Sequence, residues 1–518
     1  MKLFSILSVS SCLSERCSVA KKFFPLWVGL LFLTPDLSAQ STWVSQVERY
    51  VGQTGQNLIV RSTTPTSAIM CSKTMQWTGE HTFRHRSLFG GTKGFKCDLS
   101  ALLTDSTSTF IVKDMYILGK VCYFCGYISV KAGEPLYNAQ GEVIYTGWYQ
   151  QGVVGFFNVT EDNVPYVKLQ MLRVGEVDSL THLVVHQDNP SLGPLIMAVG
   201  STSLGTPTSC VVELQPFSGV STPNSWTKRI VYPDCVDDEY LTDIILTDSY
   251  VEVVSKLPYY GEEEDPNHYI FRLHQTKRDG FYTMSANSGS PATVAQYSVQ
   301  ETAGLFGIHQ EDEPISLCSM KNDRFCVTYG SEIGYNGDGS LVVFRMNGSQ
   351  TMERALWSHR NHEHCHVRDV AYLKDLDVVA ILSTEDNDYP GGIVWIPDWD
   401  ATNNYDPMYW QGKHLWSIDC MLGQKVMAGG TYVSNSMFQT LYDPVYSSSS
   451  YYESFCVNTH AGFFEQFPVS EPVIFECQWG VLKESPIHSQ IFEIPVLDFS
   501  SSSDCLIVEE NQLRGRID

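Results

Sequence analysis

"VKDMYILGKVCYFCGYIS", residues 112–129, holds two apolar runs parted by Gly119 and Lys120. Five to seven apolar residues bounded by turn signals read as a strand buried on both faces, so the stretch predicts a tight hairpin of two core strands. The second run carries Cys122 and Cys125 at CxxC spacing, which elsewhere marks a redox dithiol or half a zinc site. Side chains alternate along a strand, so residues three apart face opposite sides of the sheet. A strand in this position therefore makes the two cysteines packing residues, and no second CxxC is present to complete a four-cysteine site.

The same pattern recurs along the chain. It returns in "LTDIILTDSYVEVVSKLP" (241–258), "ISLCSMKNDRFCVTYGSEI" (315–333), "VRDVAYLKDLDVVAILSTE" (367–385) and "WSIDCMLGQKVMAGGTYV" (416–433), and more loosely in "LTHLVVHQDNPSLGPLIMAVGSTS" (180–203). The anchors Asp114, Thr181, Asp243, Cys318, Asp369 and Asp419 fall 67, 62, 75, 51 and 50 residues apart. Each second run ends on a small residue: Gly126, Gly200, Ser255, Gly330, Ser383 and Gly430. Further strand-like stretches lie between the anchors, such as "GVVGFFNV", "SCVVELQPF", "HYIFRLHQ", "GSLVVFRM" and "GGIVWIPDW". A period of this length holding about four short strands is the signature of radial blades.

The predicted fold is therefore all-β: a single β-propeller of seven blades, with six as the alternative count, and four short antiparallel strands per blade. "NLIVRST" and "SAIMCSK" near the start, with "PVIFECQWGVL" and "SQIFEIPVL" near the end, are expected to make a seventh blade from both chain ends and so hide its edges. A pair of β-sandwiches is the competing architecture; it explains the strands and leaves the recurring anchor unexplained.

The module "VKDMYILGKVCYFCGYIS … GVVGFFNV" resembles the blades of uncharacterised, secreted β-propeller proteins of Bacteroidetes-type bacteria, over roughly residues 109–433. "LSAQ", residues 37–40, is similar to a signal-cleavage context common there. The resemblance implies export and a propeller, and it carries over no active-site residue.

Export also follows from the N-terminus itself. Lys21 and Lys22, the apolar run 23–39 and the small residues before Gln40 form a secretory signal cut after Ala39, behind an unusually long lead. The expected organisation is a signal peptide over 1–39, a propeller over 40–498, and a tail over 499–518 that is poorly ordered apart from "CLIV". The expected compartment is periplasm, cell surface or extracellular, with no transmembrane span in the mature chain. The whole chain carries a net charge of −24. Removing residues 1–39 takes four Lys/Arg from 34 and two Asp/Glu from 58, which leaves 30 − 56 = −26. That charge repels a phosphate backbone and excludes nucleic acid as a partner.

Several constellations could carry chemistry. In "SHRNHEHCHVRD" (358–369), His362, His364 and His366 share a face in an extended strand and could hold zinc or copper; the plainer reading is a solvated edge. Asp398, Asp400 and Asn404 in "PDWDATNNYD", and Asn336 with Asp338 in "YNGDGS", are oxygen-rich loops of a kind that binds calcium, and equally what hairpin turns require. No metal and no cofactor is expected, with calcium the ion kept open. Asp114, Asp243, Asp369 and Asp419 could ring an axis, or each could bond backbone at a blade entrance. Nucleophile-elbow, HExxH, P-loop and dinucleotide signatures are missing, which favours a binding module over an enzyme.

The expected function is an exported, non-catalytic binding or protein-interaction module for a protein or neutral glycan partner. The aromatics Trp148, Trp399 and Trp410 are the candidate ligand-facing residues. The alternative is a carbohydrate-active hydrolase or lyase whose carboxylates converge on the propeller axis.

Overall fold

The computed structural model describes 35 β-strands between Thr42 and Val508, with the short turns joined to them. Residues 1–41, 259–268, 279–292, 299–314, 360–365, 396–407, 443–462 and 509–518 are among those outside the described residues, so the expected signal segment falls there. Every sheet is antiparallel, and the repeat read from the sequence is visible as a series of four-stranded units.

Sheet 1 holds Ile59–Thr64, Ser67–Lys73, His81–Ser87 and Gly94–Asp98. Sheet 2 holds Thr109–Leu118, Val121–Lys131, Trp148–Asn158 and Tyr166–Met171. In sheet 3 the order is Ser179–His186, Leu195–Ser201, Ser209–Gln215 and Thr227–Pro233; in sheet 4 it is Tyr240–Leu246, Tyr250–Pro258, Tyr269–Lys277 and Thr293–Ser298. Sheet 5 comprises Ile315–Ser319, Arg324–Ile333, Asn336–Met346 and Gln350–His359, and sheet 6 comprises His366–Leu373, Val378–Thr384, Gly391–Trp395 and Met408–Gln411. Sheet 7 takes Lys413–Met421, Lys425–Tyr432 and Ser436–Tyr442, and its fourth strand is Thr42–Arg49. The first strand of each sheet packs beside the first strand of the next, from sheet 1 through to sheet 7, and the first strand of sheet 7 packs beside that of sheet 1.

The chain ends meet differently from the sequence expectation. "NLIVRST" and "SAIMCSK" do form one sheet, but its other inner strands are N-terminal too. The sheet built from both ends is sheet 7, where Thr42–Arg49 pairs with Ser436–Tyr442. The C-terminal strands instead run along outer edges in reverse order. Phe463–Phe467 adds to sheet 5, Val473–Pro486 borders sheet 4 and then sheet 3, and Ile491–Pro495 adds to sheet 2. Leu497–Asp498 follows on sheet 1 and Leu506–Val508 on sheet 7, against Thr42–Arg49. Each addition pairs an outer edge whose N–H and C=O groups would otherwise face solvent. "YNGDGS", read as a loop, is also different: Asn336 to Ser340 lie in a strand paired to Ser331–Ile333 and the residues before it.

The core lies between neighbouring sheets, which is why the inner strands show no polar alternation. One cluster joins Ile59, Ile69 and Phe83 of sheet 1 to Phe110, Phe124 and Phe157 of sheet 2. The next joins Val154 of sheet 2 to Leu180, Ile196 and Val212 of sheet 3, and a third joins Val199 and Val211 of sheet 3 to Ile244 and Val253 of sheet 4. Met421 and Met427 of sheet 7 pack on Val60 and Met70 of sheet 1. Cys122 sits in the first cluster and Cys125 in the second, both fully buried, so the CxxC pair does straddle its sheet. Burial raises both thiols well above their usual pKa.

The small residue ending the second run has a structural cause in five of the six repeats; among the described residues, Gly330 of sheet 5 is the one with no bulge opposite it. The first strand carries a one-residue irregularity of register between Val112 and Asp114, Leu180 and His182, Leu241 and Asp243, Val367 and Asp369, and Leu415 and Ser417. The residues opposite these bulges are Gly126, Gly200, Ser255, Ser383 and Gly430. A bulge pushes backbone toward its partner strand and leaves little room for a side chain there.

Candidate functional site

The bulges aim a carboxylate inward at the place where the first strands meet. Asp114 Oδ1 accepts the N–H of Met115 at 2.7 Å, and its Oδ2 accepts that of Leu183 in the next sheet at 3.1 Å. Asp243 repeats this with Ile244 of its own strand at 2.7 Å and Leu317 of sheet 5 at 2.7 Å. Asp369 accepts Val370 N–H at 2.9 Å, and its second oxygen accepts Ile418 N–H at 3.0 Å and the Ser417 hydroxyl at 2.8 Å. Asp419 accepts Cys420 N–H at 2.8 Å and, across to sheet 1, Ser62 N–H at 2.7 Å. Each carboxylate thus clips its own strand to the inner strand of the following sheet.

The sequence reading placed these four aspartates at one structural position, and for three of them the register agrees. Asp114, Asp243 and Asp369 directly follow a bulge; in sheet 7 that position is Ser417, and Asp419 lies two residues further along. Two residues return to the same strand face, so Asp419 still reaches inward. Thr181 is the bulged residue itself, and His182 holds the position that Asp occupies in the neighbouring sheets.

Two cationic side chains complete the group. Arg61 of sheet 1 places Nη2 2.8 Å from Asp114 Oδ1 and Nη1 3.2 Å from Ser417 Oγ, and its Nε donates to the Met115 carbonyl at 2.9 Å. Its Nη1 lies 3.8 Å from Asp369. His182 Nδ1 is 3.4 Å from Asp243 and 3.7 Å from Asp114. Together with Ser316, Cys318 and Trp416 these residues line a cavity of about 320 Å³.

The electrostatics follow from burial and pairing. Burial opposes charge on Arg61, but Asp114, Asp369 and Asp419 outweigh it and hold the guanidinium above its ordinary pKa. Burial likewise opposes an ionised Asp114, and His182 and Arg61 bring it below the usual carboxylate range. Asp369 and Asp419 are raised by burial despite Arg61. Asp243 is pushed up to about 6 by burial, with His182 and the Leu317 N–H pulling the other way. For His182 burial lowers the pKa, and Asp243 and Asp114 overcome it to reach about 9.

A raised histidine pKa gives a signed prediction. The contribution of His182 is fully present below its ordinary value of 6.5 and is lost as pH rises through about 9. Its side chain is 36% exposed, so solvent screening reduces the effect to about 1 kcal/mol. Urea unfolding between pH 6 and 9 is expected to show a fall of that size, flattened in His182→Gln. An unchanged slope in the variant would reject the assignment.

Of the residues singled out in the sequence, the four aspartates are brought together. His366 opens a strand opposite Thr384, while His362 and His364 lie outside the described residues, as do Asp398, Asp400, Asn404 and Trp399. Trp148 opens a strand opposite Lys131, and Trp410 lies in the outer strand of sheet 6 opposite Gly392. Sequence reasoning passed over Arg61 and His182. The available signal was a lone basic residue inside an otherwise apolar run, "LIVRST" and "LTHLVV". Among the described residues, no group of three or more His, Cys, Asp and Glu is arranged to hold a metal ion. No helix among them is long and apolar enough to cross a membrane.

No protein-family model matches the chain, and no curated protein matches it. Among solved structures, it is similar to Drosophila Semaphorin 1b, extracellular domains 1-2, with 8% sequence identity and a TM-score of 0.36, over 76% of this chain and 86% of that one. Identity and score are both too low for the likeness to say anything about function.

Proposed function

We propose that the chain is a single seven-bladed β-propeller, exported from the cell, that serves as a non-catalytic binding or protein-interaction module. The succession of inner strands from sheet 1 to sheet 7 and back to sheet 1 supports the blade count. One observation carries the non-catalytic reading. All eight oxygens of Asp114, Asp243, Asp369 and Asp419 accept backbone N–H groups, four of them from the next sheet. A general acid or base must exchange its proton with substrate, and carboxylates bound in this way are spent on holding the sheets together. The inward acids are on this reading the hub of a scaffold, and recognition belongs to its rim.

The partner is a protein or a neutral glycan, since a net charge of −24 repels polyanions. Trp148, Trp399 and Trp410 are the proposed contact residues, because an indole ring is a large apolar group suited to stacking on a sugar or anchoring a protein, with no cofactor required. The full-length protein on neutral glycan and peptide arrays, with turnover followed in parallel, tests this. Binding without turnover, weakened at least tenfold by Trp148→Ala, Trp399→Ala or Trp410→Ala in folded protein, is the expected result. Turnover abolished by Asp243→Asn in folded protein would instead make the axial group a hydrolase or lyase site.

A further inference from the structure

Cys318 and Cys326 are directly opposed residues on the first two strands of sheet 5. Neither is in a disulfide, and the Cys318 thiol donates to the Ser319 carbonyl at 3.7 Å. Opposed residues of an antiparallel pair have Cα atoms about 4.5–5.5 Å apart, inside the span that a disulfide bridges. Their side chains leave the same face of the sheet, which is the placement a cross-strand disulfide needs. Cys122 and Cys125, by contrast, sit in different cores.

The two thiols differ in access. Cys326 is fully buried, whereas Cys318 is partly exposed and lines the axial cavity beside Asp369, Ser417 and Asp419. An oxidant entering the cavity meets Cys318 first and finds Cys326 positioned to complete the reaction.

We propose that Cys318 and Cys326 form a redox site, closing a reversible cross-strand disulfide by exchange with a disulfide-bearing oxidant, either a small molecule or an oxidoreductase. The Cys318 thiolate attacks one sulfur of the oxidant and releases the other half as a thiol. Cys326 then attacks the Cys318 sulfur of this mixed disulfide and releases the second thiol. The oxidant disulfide is reduced to two thiols, the protein dithiol is oxidised to one disulfide, and the two protein protons pass to the departing thiols. The adjacent Cys326 thiol, burial and the charges of Asp369 and Asp419 all raise the Cys318 pKa, so exchange is slow at neutral pH and accelerates as pH rises.

The sequence makes the product easy to detect. Trypsin cuts after Lys321 and Arg324, which separates the pair into Asp279–Lys321 and Phe325–Arg345, each with a single cysteine. Reduced full-length protein equilibrated with glutathione disulfide, then quenched by alkylation and digested without reductant, is expected to yield these two peptides linked, with the loss of two hydrogens. In Cys326→Ser the second step is removed, and Cys318 is expected to accumulate as the glutathione adduct. Circular dichroism on both proteins confirms that they are folded during the treatment. Recovery of unlinked peptides from folded wild type, with Cys318 and Cys326 both alkylated on denaturation, would overturn the proposal. So would a persistent glutathione adduct on Cys318 in wild type, or linkage of either cysteine to a different partner.

Discussion

Replacing Gly126 with alanine is expected to cost about 3 kcal/mol or more, the upper end for forcing volume into a packed site. A Cβ at this position would lie 1.8 Å from the carbonyl oxygen of Ile111, 2.9 Å from its carbonyl carbon and 3.0 Å from Val112 Cα. All three atoms are backbone, so no rotamer change relieves the overlap. The bulge that puts them there also aims Asp114 at Leu183 and Arg61, so relief by straightening the strand would undo an inter-sheet clip. Against a typical total stability of about 5–15 kcal/mol, the variant should show a markedly lower urea midpoint or fail to accumulate folded. Gly119→Asn is the control: its φ is +61°, a region asparagine tolerates, and nothing surrounds it within 4 Å. It should cost less than about 1 kcal/mol. Equal effects of the two substitutions would show that the bulge does not set the need for glycine.

Arg61→Met should be almost as damaging, at about 3–5 kcal/mol, the cost of removing one partner from a buried ionic group. The methionine fills much of the stem volume and removes the charge. Asp114 then loses its 2.8 Å partner, the Met115 carbonyl loses a donor, and Asp369 and Asp419 lose the guanidinium that offsets their burial, leaving His182 as the remaining cation of the group. The pH dependence separates this account from a packing defect. Asp369 and Asp419 already lie above their ordinary carboxyl values, and without Arg61 they rise further, so the native state of the variant takes up more protons than wild type and its stability gains more as pH falls toward 5. Unfolding of Arg61→Met followed from pH 8 to pH 5 should therefore recover part of the loss. A deficit that stays constant over that range would assign the damage to packing.

The inner hairpins were the most legible feature of the sequence. Runs such as "VCYFCGYI" are apolar on both alternating faces because each inner strand lies between two cores, and that pattern is local. The terminal Gly or Ser of each second run was equally visible, although its cause in five of them, a bulge in the partner strand, was not. The outer C-terminal strands were legible as strands and wrongly grouped: Val473–Pro486 carries β-forming residues, but nothing in it states that it borders two sheets at once.

The candidate site shows the same division. Recurrence made Asp114, Asp243, Asp369 and Asp419 stand out, since a repeat places equivalent residues in equivalent surroundings. By itself the sequence determined strand content, period and net charge and marked out the recurring acids, because each depends on neighbours within one hairpin or on composition; it left open whether those acids ring an axis or bond backbone. Tertiary structure alone decided their role. Ser62 meets Asp419 across 357 positions and Arg61 meets Ser417 across 356, and neither partner announces the other. A carboxylate two residues off register still finds a backbone N–H there, and a histidine takes the place of an aspartate between two others, because the inner strands are brought side by side only when the sheets assemble. Local pattern fixes which face a side chain leaves; the contacts between sheets fix what it meets.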